Sequence, residues 1–229
     1  MLARNRLTRP FNGDTCPQTE RRVTDSRPEN QSLVAAPYSF RTLPDYLRAH
    51  LRLVFVGINP GLYSVERGHY FARTTSRFWP AFSRSTLSAR VRAELGRTVL
   101  GPEDDRRLLP FGVGFTDVVK VPSRNAAALR PADFRTWAPR LLQRLESCRP
   151  RTACFHGVTA YRAFTRYALD AARSNWPLGA QSLTVGNTRL FVVPNPSPAN
   201  AHFRIEDQVR WYDRLAEFLE SLPTARAPR

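Results

Sequence analysis

Leu53-Val-Phe-Val-Gly-Ile-Asn-Pro-Gly61 decides how this sequence folds. The apolar run is ended by Pro60 and Gly61, so it reads as a buried strand feeding a loop, with Asn59 displayed at the strand end. Outward from it, helix and strand patterns alternate. Phe78, Trp79 and Phe82 recur at helical spacing in a helix that starts near Thr75. Val113-Gly-Phe-Thr-Asp-Val-Val119 is a second strand. Pro131 to Glu146 forms an amphipathic helix through Phe134, Trp137, Leu141, Leu142 and Leu145, with a proline close to its start. Thr152 to His156 is a third strand, and Gly157 opens a helix through Tyr161, Phe164 and Tyr167. Leu183-Thr-Val185, Gly186-Asn187 and Leu190-Phe-Val-Val193 predict a hairpin, and Glu206 to Leu222 a closing helix. This alternation predicts an α/β three-layer sandwich, whose mainly parallel central sheet of roughly four to five strands is flanked by helices.

The charge narrows the partner. There are 35 Lys and Arg against 19 Asp and Glu, a formal net charge of +16. Such a field concentrates polyanions, and nucleic acid is the commonest one inside a cell. A G+C-rich coding bias accounts for Arg over Lys, since Lys120 is the only lysine, but not for the excess of bases over acids. Residues 1–36 are rich in Arg, Thr, Pro, Asn and Asp without apolar periodicity. They read as a disordered or loosely attached basic arm, either adding phosphate contacts or merely solvated; residues 37–229 read as a single domain.

No apolar stretch reaches bilayer-spanning length. Met1-Leu-Ala-Arg-Asn-Arg-Leu7 lacks the apolar core and small-residue cleavage site of a secretion signal. A cytoplasmic protein is expected, associated with the nucleoid through any DNA binding. No sustained heptad stands out, so a monomer is expected.

Cys16, Cys148 and Cys154 cannot all pair, and no disulfide framework is indicated. Cys154 and His156 alternate within an apolar strand without enough further ligands for a structural zinc, so core packing is expected and no metal. No dinucleotide fingerprint or P-loop occurs, and no cofactor is expected.

Two loops carry the chemistry, because ligands in such sheets bind beyond the carboxyl ends of strands. In the first, Gly57 and Gly61 allow close backbone approach and Pro60 fixes the turn that displays Asn59. In the second, Pro194-Asn-Pro-Ser-Pro-Ala-Asn200, three prolines stiffen a loop of amides and hydroxyls. Val56-Gly-Ile-Asn-Pro-Gly-Leu62, Phe71-Ala72, Ser76-Arg-Phe-Trp79, Gly114-Phe-Thr-Asp-Val-Val-Lys120 and Asn195-Pro-Ser197, in that order, resemble the mismatch-specific uracil- and thymine-DNA glycosylase family. The match runs from about Leu53 to the C-terminus; the first motif is highly specific and the last moderately so.

The resemblance implies an enzyme that flips uracil, or a similar damaged or mismatched pyrimidine, out of DNA and hydrolyses its N-glycosidic bond without lyase action. It implies that Asn59 orients the attacking water, that Phe71 stacks on the flipped base, and that Gly57 and the Ile58 backbone read its edge. Ser64 sits where the family controls access for a 5-methyl group. Asn195, Ser197, Pro198, Ala199 and Asn200 would form the DNA-binding loop and wedge.

This chain departs from the family after Asn195-Pro-Ser197: Ala199 is a small wedge and no arginine follows until Arg204. Preference for a guanine-opposed lesion is therefore weakened, and single-stranded DNA becomes a candidate substrate beside G·U duplexes. An amide is a poor base, which draws attention to Asp117, on the strand that the family fold places beside Asn59. Its carboxylate either activates water or stabilises the sugar cation, or it is merely paired with Lys120 or Arg124 or caps a turn.

Arg77 is expected to brace the site through a carboxylate or to touch phosphate, His69 to be solvated, and the helix opened by Gly157 to offer its amides to a phosphate. A catalytically silent nucleic-acid-binding module is the main alternative, and retained DNA binding without base release distinguishes it. A small-molecule N-glycoside hydrolase is disfavoured by the lack of an Asp-rich strand end.

Overall fold

The structure is a computed structural model of the chain, and it describes residues 39–171 and 175–223. The expected arm over residues 1–36, with Cys16, lies outside the described residues. Five strands form one sheet: β1 (Leu53–Gly57), β2 (Val113–Asp117), β3 (Thr152–His156), β4 (Gly179–Val185) and β5 (Thr188–Val193). Their order is β2-β1-β3-β5-β4, parallel throughout except for β4, which runs antiparallel to β5 across the hairpin. Every residue of β1, β2 and β3 is buried, which is why these strands read as unbroken apolar runs and not as alternations.

Six α-helices accompany the sheet among the described residues: α1 (Leu62–Arg67), α2 (Phe78–Arg84), α3 (Ala89–Leu95), α4 (Pro131–Cys148), α5 (Val158–Ala168) and α6 (Ile205–Ser221). Helices α2, α3 and α6 cover one face, packing on Phe55, Phe115, Cys154 and Phe191. Helices α4 and α5 cover the other, against Val54, Val56, Phe155 and Leu190. The result is the three-layer sandwich that the alternating pattern predicts. Cys148 and Cys154 are free and buried on opposite faces of the sheet, so they serve packing. No helix among the described residues is long and apolar enough to cross a membrane.

The chain leaves β1 toward β2 on one side, then returns to place β3 on the other side of β1. The carboxyl ends of β1 and β3 thus flank the switch point of the sheet, where open α/β sheets bind ligands. The outer edge of β2 is covered by the segment around Tyr46, which exchanges backbone hydrogen bonds with Phe115 at 2.9 and 3.0 Å. Gly114 makes that approach possible, since a Cβ there would overlap the Tyr46 carbonyl oxygen and Leu51 Cδ1. The Gly114→Ala variant is therefore expected to lose about 1–3 kcal/mol of stability, read as a lower denaturant midpoint; an unchanged midpoint would contradict this packing.

Candidate active site

The loops at the carboxyl ends of β1, β2, β3 and β5 enclose a cleft of about 700 Å³, within the range of small-ligand sites. Gly57, Ile58, Asn59, Ser64, Phe71, Asp117, Asn195, Ser197, Pro198, Ala199 and Asn200 all line it. Every residue singled out from the sequence as catalytic, base-binding or wedge-forming thus converges on one cavity. Arg73 and Arg124 line it too and are exposed, placing two cations at the cleft.

Asn59 is held by the loop opposite it. Backbone bonds from Ser123 N to Pro60 O and from Leu62 N to Ser123 O, both 3.2 Å, run the first loop alongside residues 121–125. The Asn59 Nδ2 group donates to Val121 O at 3.0 Å and to Ser123 Oγ at 2.8 Å, and Ser123 Oγ donates onward to Asn125 O. These acceptors fix the amide orientation and leave Oδ1 as the acceptor that remains. The Ile58 carbonyl already accepts from Val119 N at 3.0 Å.

Phe71 has φ of 54°, a left-handed conformation that a bulky side chain adopts only when its surroundings impose it. Those surroundings are visible on both sides. Tyr70 N donates to Asp105 Oδ2 at 2.9 Å, the Trp79 indole donates to Tyr70 O at 2.9 Å, and Ala72 N donates to Ser64 Oγ at 3.3 Å. The Phe71 ring lies flat on Phe78, with centroids 4.2 Å apart and planes at 10°. Ser64 therefore has a bracing part that the sequence did not suggest. His69, expected to be merely solvated, instead pairs with the buried Asp105 at 3.3 Å.

The second loop is tied down by its own amides. Asn195 Oδ1 accepts from Ser197 N at 3.0 Å, and Asn200 Nδ2 donates to Asn195 O at 3.1 Å. Arg77 braces it through main-chain carbonyls and not through a carboxylate: its Nη2 donates to Ser197 O and, at 2.8 Å, to Asn200 O. Pro198 and Ala199 form the exposed tip.

Asp117 ends β2 directly opposite Gly57. A Cβ on Gly57 would overlap Asp117 Oδ1, so this glycine is what lets the carboxylate lie at the strand end. Lys120 Nζ is 3.7 Å from Asp117 Oδ2 and 2.9 Å from Asp45 Oδ1. Asp45 also accepts from Thr116 Oγ1 at 2.7 Å and faces Arg144 Nη1 at 3.2 Å. None of these partnerships with Asp45 or Arg144 was foreseen, because they join segments far apart in sequence. Burial pushes the Asp117 carboxyl up to about 6, against the pull of Lys120 and with added repulsion from Asp45. The Asp45 carboxyl is held below its usual range despite its burial, by Lys120 and Arg144.

His156, at the end of β3, also lines the cleft. Burial lowers its imidazole to about 3, so the ring is neutral, and Nε2 meets the Tyr212 hydroxyl at 3.0 Å. No cluster of side chains suited to a metal ion occurs among the described residues.

A doubly wound α/β domain with a polar and aromatic crevice at its switch point is the class that the fold and cleft define. The family model of the uracil DNA glycosylase superfamily matches residues 44–220, and the chain belongs to that superfamily. Membership supports DNA N-glycosylase activity in general terms. A solution structure of a provisionally assigned uracil DNA glycosylase from Methanosarcina acetivorans is similar at 18% identity and a TM-score of 0.49, over 79% of this chain and 98% of that one.

The raised Asp117 carboxyl has a consequence for stability. The unfolded carboxyl titrates near 3.9 and the folded one at about 6, so stability present below the unfolded value is lost as pH rises through about 6. Asp117→Asn carries no such loss. It is expected to exceed the parent by on the order of 2–3 kcal/mol at about pH 8 and to match it near pH 4, by chemical denaturation at each pH. Equal stability at both would contradict the burial of an ionised carboxylate.

Proposed function

We propose that this chain is a monofunctional, mismatch-directed uracil-DNA glycosylase. One observation carries the reading: Asn59 and Asp117 are brought to adjacent strand ends in the cleft that also holds Phe71. The flipped uracil stacks on the face of Phe71 turned away from Phe78, as base-flipping enzymes read extruded bases between aromatic surfaces. Gly57 and the Ile58 backbone border its edge, and Ser64 restricts space for a 5-methyl group. Asn59 Oδ1 accepts a hydrogen bond from the attacking water and Asp117 takes its proton, a task suited to a carboxyl that titrates near neutrality. As the glycosidic C–N bond breaks and its bonding pair leaves with the base, the still-ionised Asp117 carboxylate steadies the positive charge growing on the sugar. The water oxygen then bonds to C1′ and its proton passes to Asp117.

Asn195, Ser197 and Asn200 stiffen the second loop, and Pro198 and Ala199 enter the gap left by the base. Because that wedge is small, preference for an opposing guanine is weakened, and single-stranded uracil is a candidate substrate beside G·U duplexes. Lyase action is not part of the reading, since the only lysine is fully buried and its ammonium engaged. No metal or cofactor enters these steps, and the chain acts as a monomer on DNA. Arg73 and Arg124 at the cleft mouth meet phosphates.

Base release from a labelled duplex with one G·U pair, in the presence of a chelator, tests this. The parent is expected to leave abasic sites without strand cleavage. Asn59→Ala and Asp117→Ala are each expected to slow release by roughly 10²–10⁴-fold while retaining DNA binding. Tight DNA binding by the parent with no release from any uracil substrate would leave a non-catalytic binding module.

A further inference from the structure

Of 35 lysines and arginines in the chain, Lys120 is the only lysine, and it is 0% exposed. This residue type occurs once, at a buried point 3.7 Å from Asp117 of the cleft. Its ammonium converges on Asp45 Oδ1 at 2.9 Å, Tyr70 Oη at 3.3 Å and Asp117 Oδ2 at 3.7 Å. Two of these, Asp45 and Tyr70, are hydrogen-bonded to the ammonium and the third is an ion-pair contact. This arrangement suits a compact ammonium, whereas a planar guanidinium fork would need more room and a different arrangement of acceptors.

The distances are unequal. Asp45 receives the short contact and is further satisfied by Thr116 and Arg144. Asp117 Oδ2 is buried without a hydrogen-bond partner. The Asp117 carboxylate therefore feels the lysine's charge at 3.7 Å without being tied to it by a hydrogen bond, and Tyr70 also helps to hold it ionised.

We propose that Lys120 is a positioning residue of the reaction, its ammonium shared unequally between Asp45 and Asp117 so that the Asp117 carboxylate is held at the cleft without being locked to the lysine by a hydrogen bond. This rests on the reading of Asp117 as the group that accepts the proton of water. The charged and titratable groups around Asp117 are Lys120 beyond β2, Asp45 and Tyr46 in the segment covering the β2 edge, Tyr70 before Phe71, Arg144 on α4, and Arg124 and the neutral His156 on the cleft wall. Among them Lys120, and after it Arg144 and Tyr70, favour the ionised form, and Asp45 opposes it. Removing each must move the titration in opposite directions, which loss of packing alone does not do.

The test is single-turnover base release by the full chain from a uracil-containing duplex between about pH 4.5 and 9, with Asp117→Asn as reference. The parent is expected to lose rate on the acid side along a limb that Asp117→Asn abolishes. Lys120→Met is expected to move that limb upward by about one to three pH units, and Asp45→Asn to move it downward. The carboxyl-carbon NMR titration of Asp117 is expected to shift in the same two directions without substrate, and where Lys120→Met does not fold, Asp45→Asn decides alone.

Variants that lose rate equally at every pH, with limb and carboxyl titration unmoved, would overturn the assignment of Lys120 and leave the glycosylase standing. Absence of base release by the parent, with the carboxyl titration still shifting both ways, would overturn the reaction itself and with it the part of Lys120 in it.

Discussion

A positive charge buried inside a domain must be balanced, and the Lys120 ammonium has no exposure at all. Its main counter-charge is Asp45, at 2.9 Å and shared with Arg144, while Asp117 at 3.7 Å contributes less. An isolated ion in that position would cost several kcal/mol, so the segment carrying Asp45 must lie against β2 for the fold to close. The same segment caps the β2 edge through Tyr46, and Gly114 admits it. One electrostatic constraint therefore sets both the edge of the sheet and the environment of the carboxylate that faces the cleft.

The aromatic side of the cleft obeys a different constraint. Phe71 adopts a left-handed backbone, and three side chains, Asp105, Trp79 and Ser64, anchor the peptide groups around it. Such a conformation costs on the order of 1–3 kcal/mol, which the stacking on Phe78 and these bonds offset. A stiff platform keeps its ordering cost out of the binding step. Arg77 does the same for the second loop, holding its carbonyls where a flexible tip would otherwise wander.

The strands that carry the site were legible because they are buried on both faces: Leu53–Gly57, Val113–Asp117 and Thr152–His156 show as apolar runs with turn residues after them. Asp117 was legible as an acid interrupting such a run, and Asn59 as an amide displayed by Pro60 and Gly61. The short helices α1 and α3 were not, since unlike the equally short α2 they carry no aromatic cluster such as Phe78, Trp79 and Phe82 to mark a helical period. Asp45, Tyr70 and Arg144 also escaped notice, because only tertiary packing joins them to Asp117 and Lys120. The target of Arg77 was misjudged for a related reason: a guanidinium pattern does not distinguish a carboxylate from a row of main-chain carbonyls.

The proposed reaction depends most on where an extruded base goes. A crystal structure of the Asp117→Asn variant bound to a duplex with a single uracil tests that directly. The account predicts the uracil outside the helical stack and lying on the Phe71 ring, with its C1′ facing Asn59 Oδ1 and residue 117. A uracil still stacked within the duplex, with the cleft empty and the DNA held elsewhere on the basic surface, would contradict it.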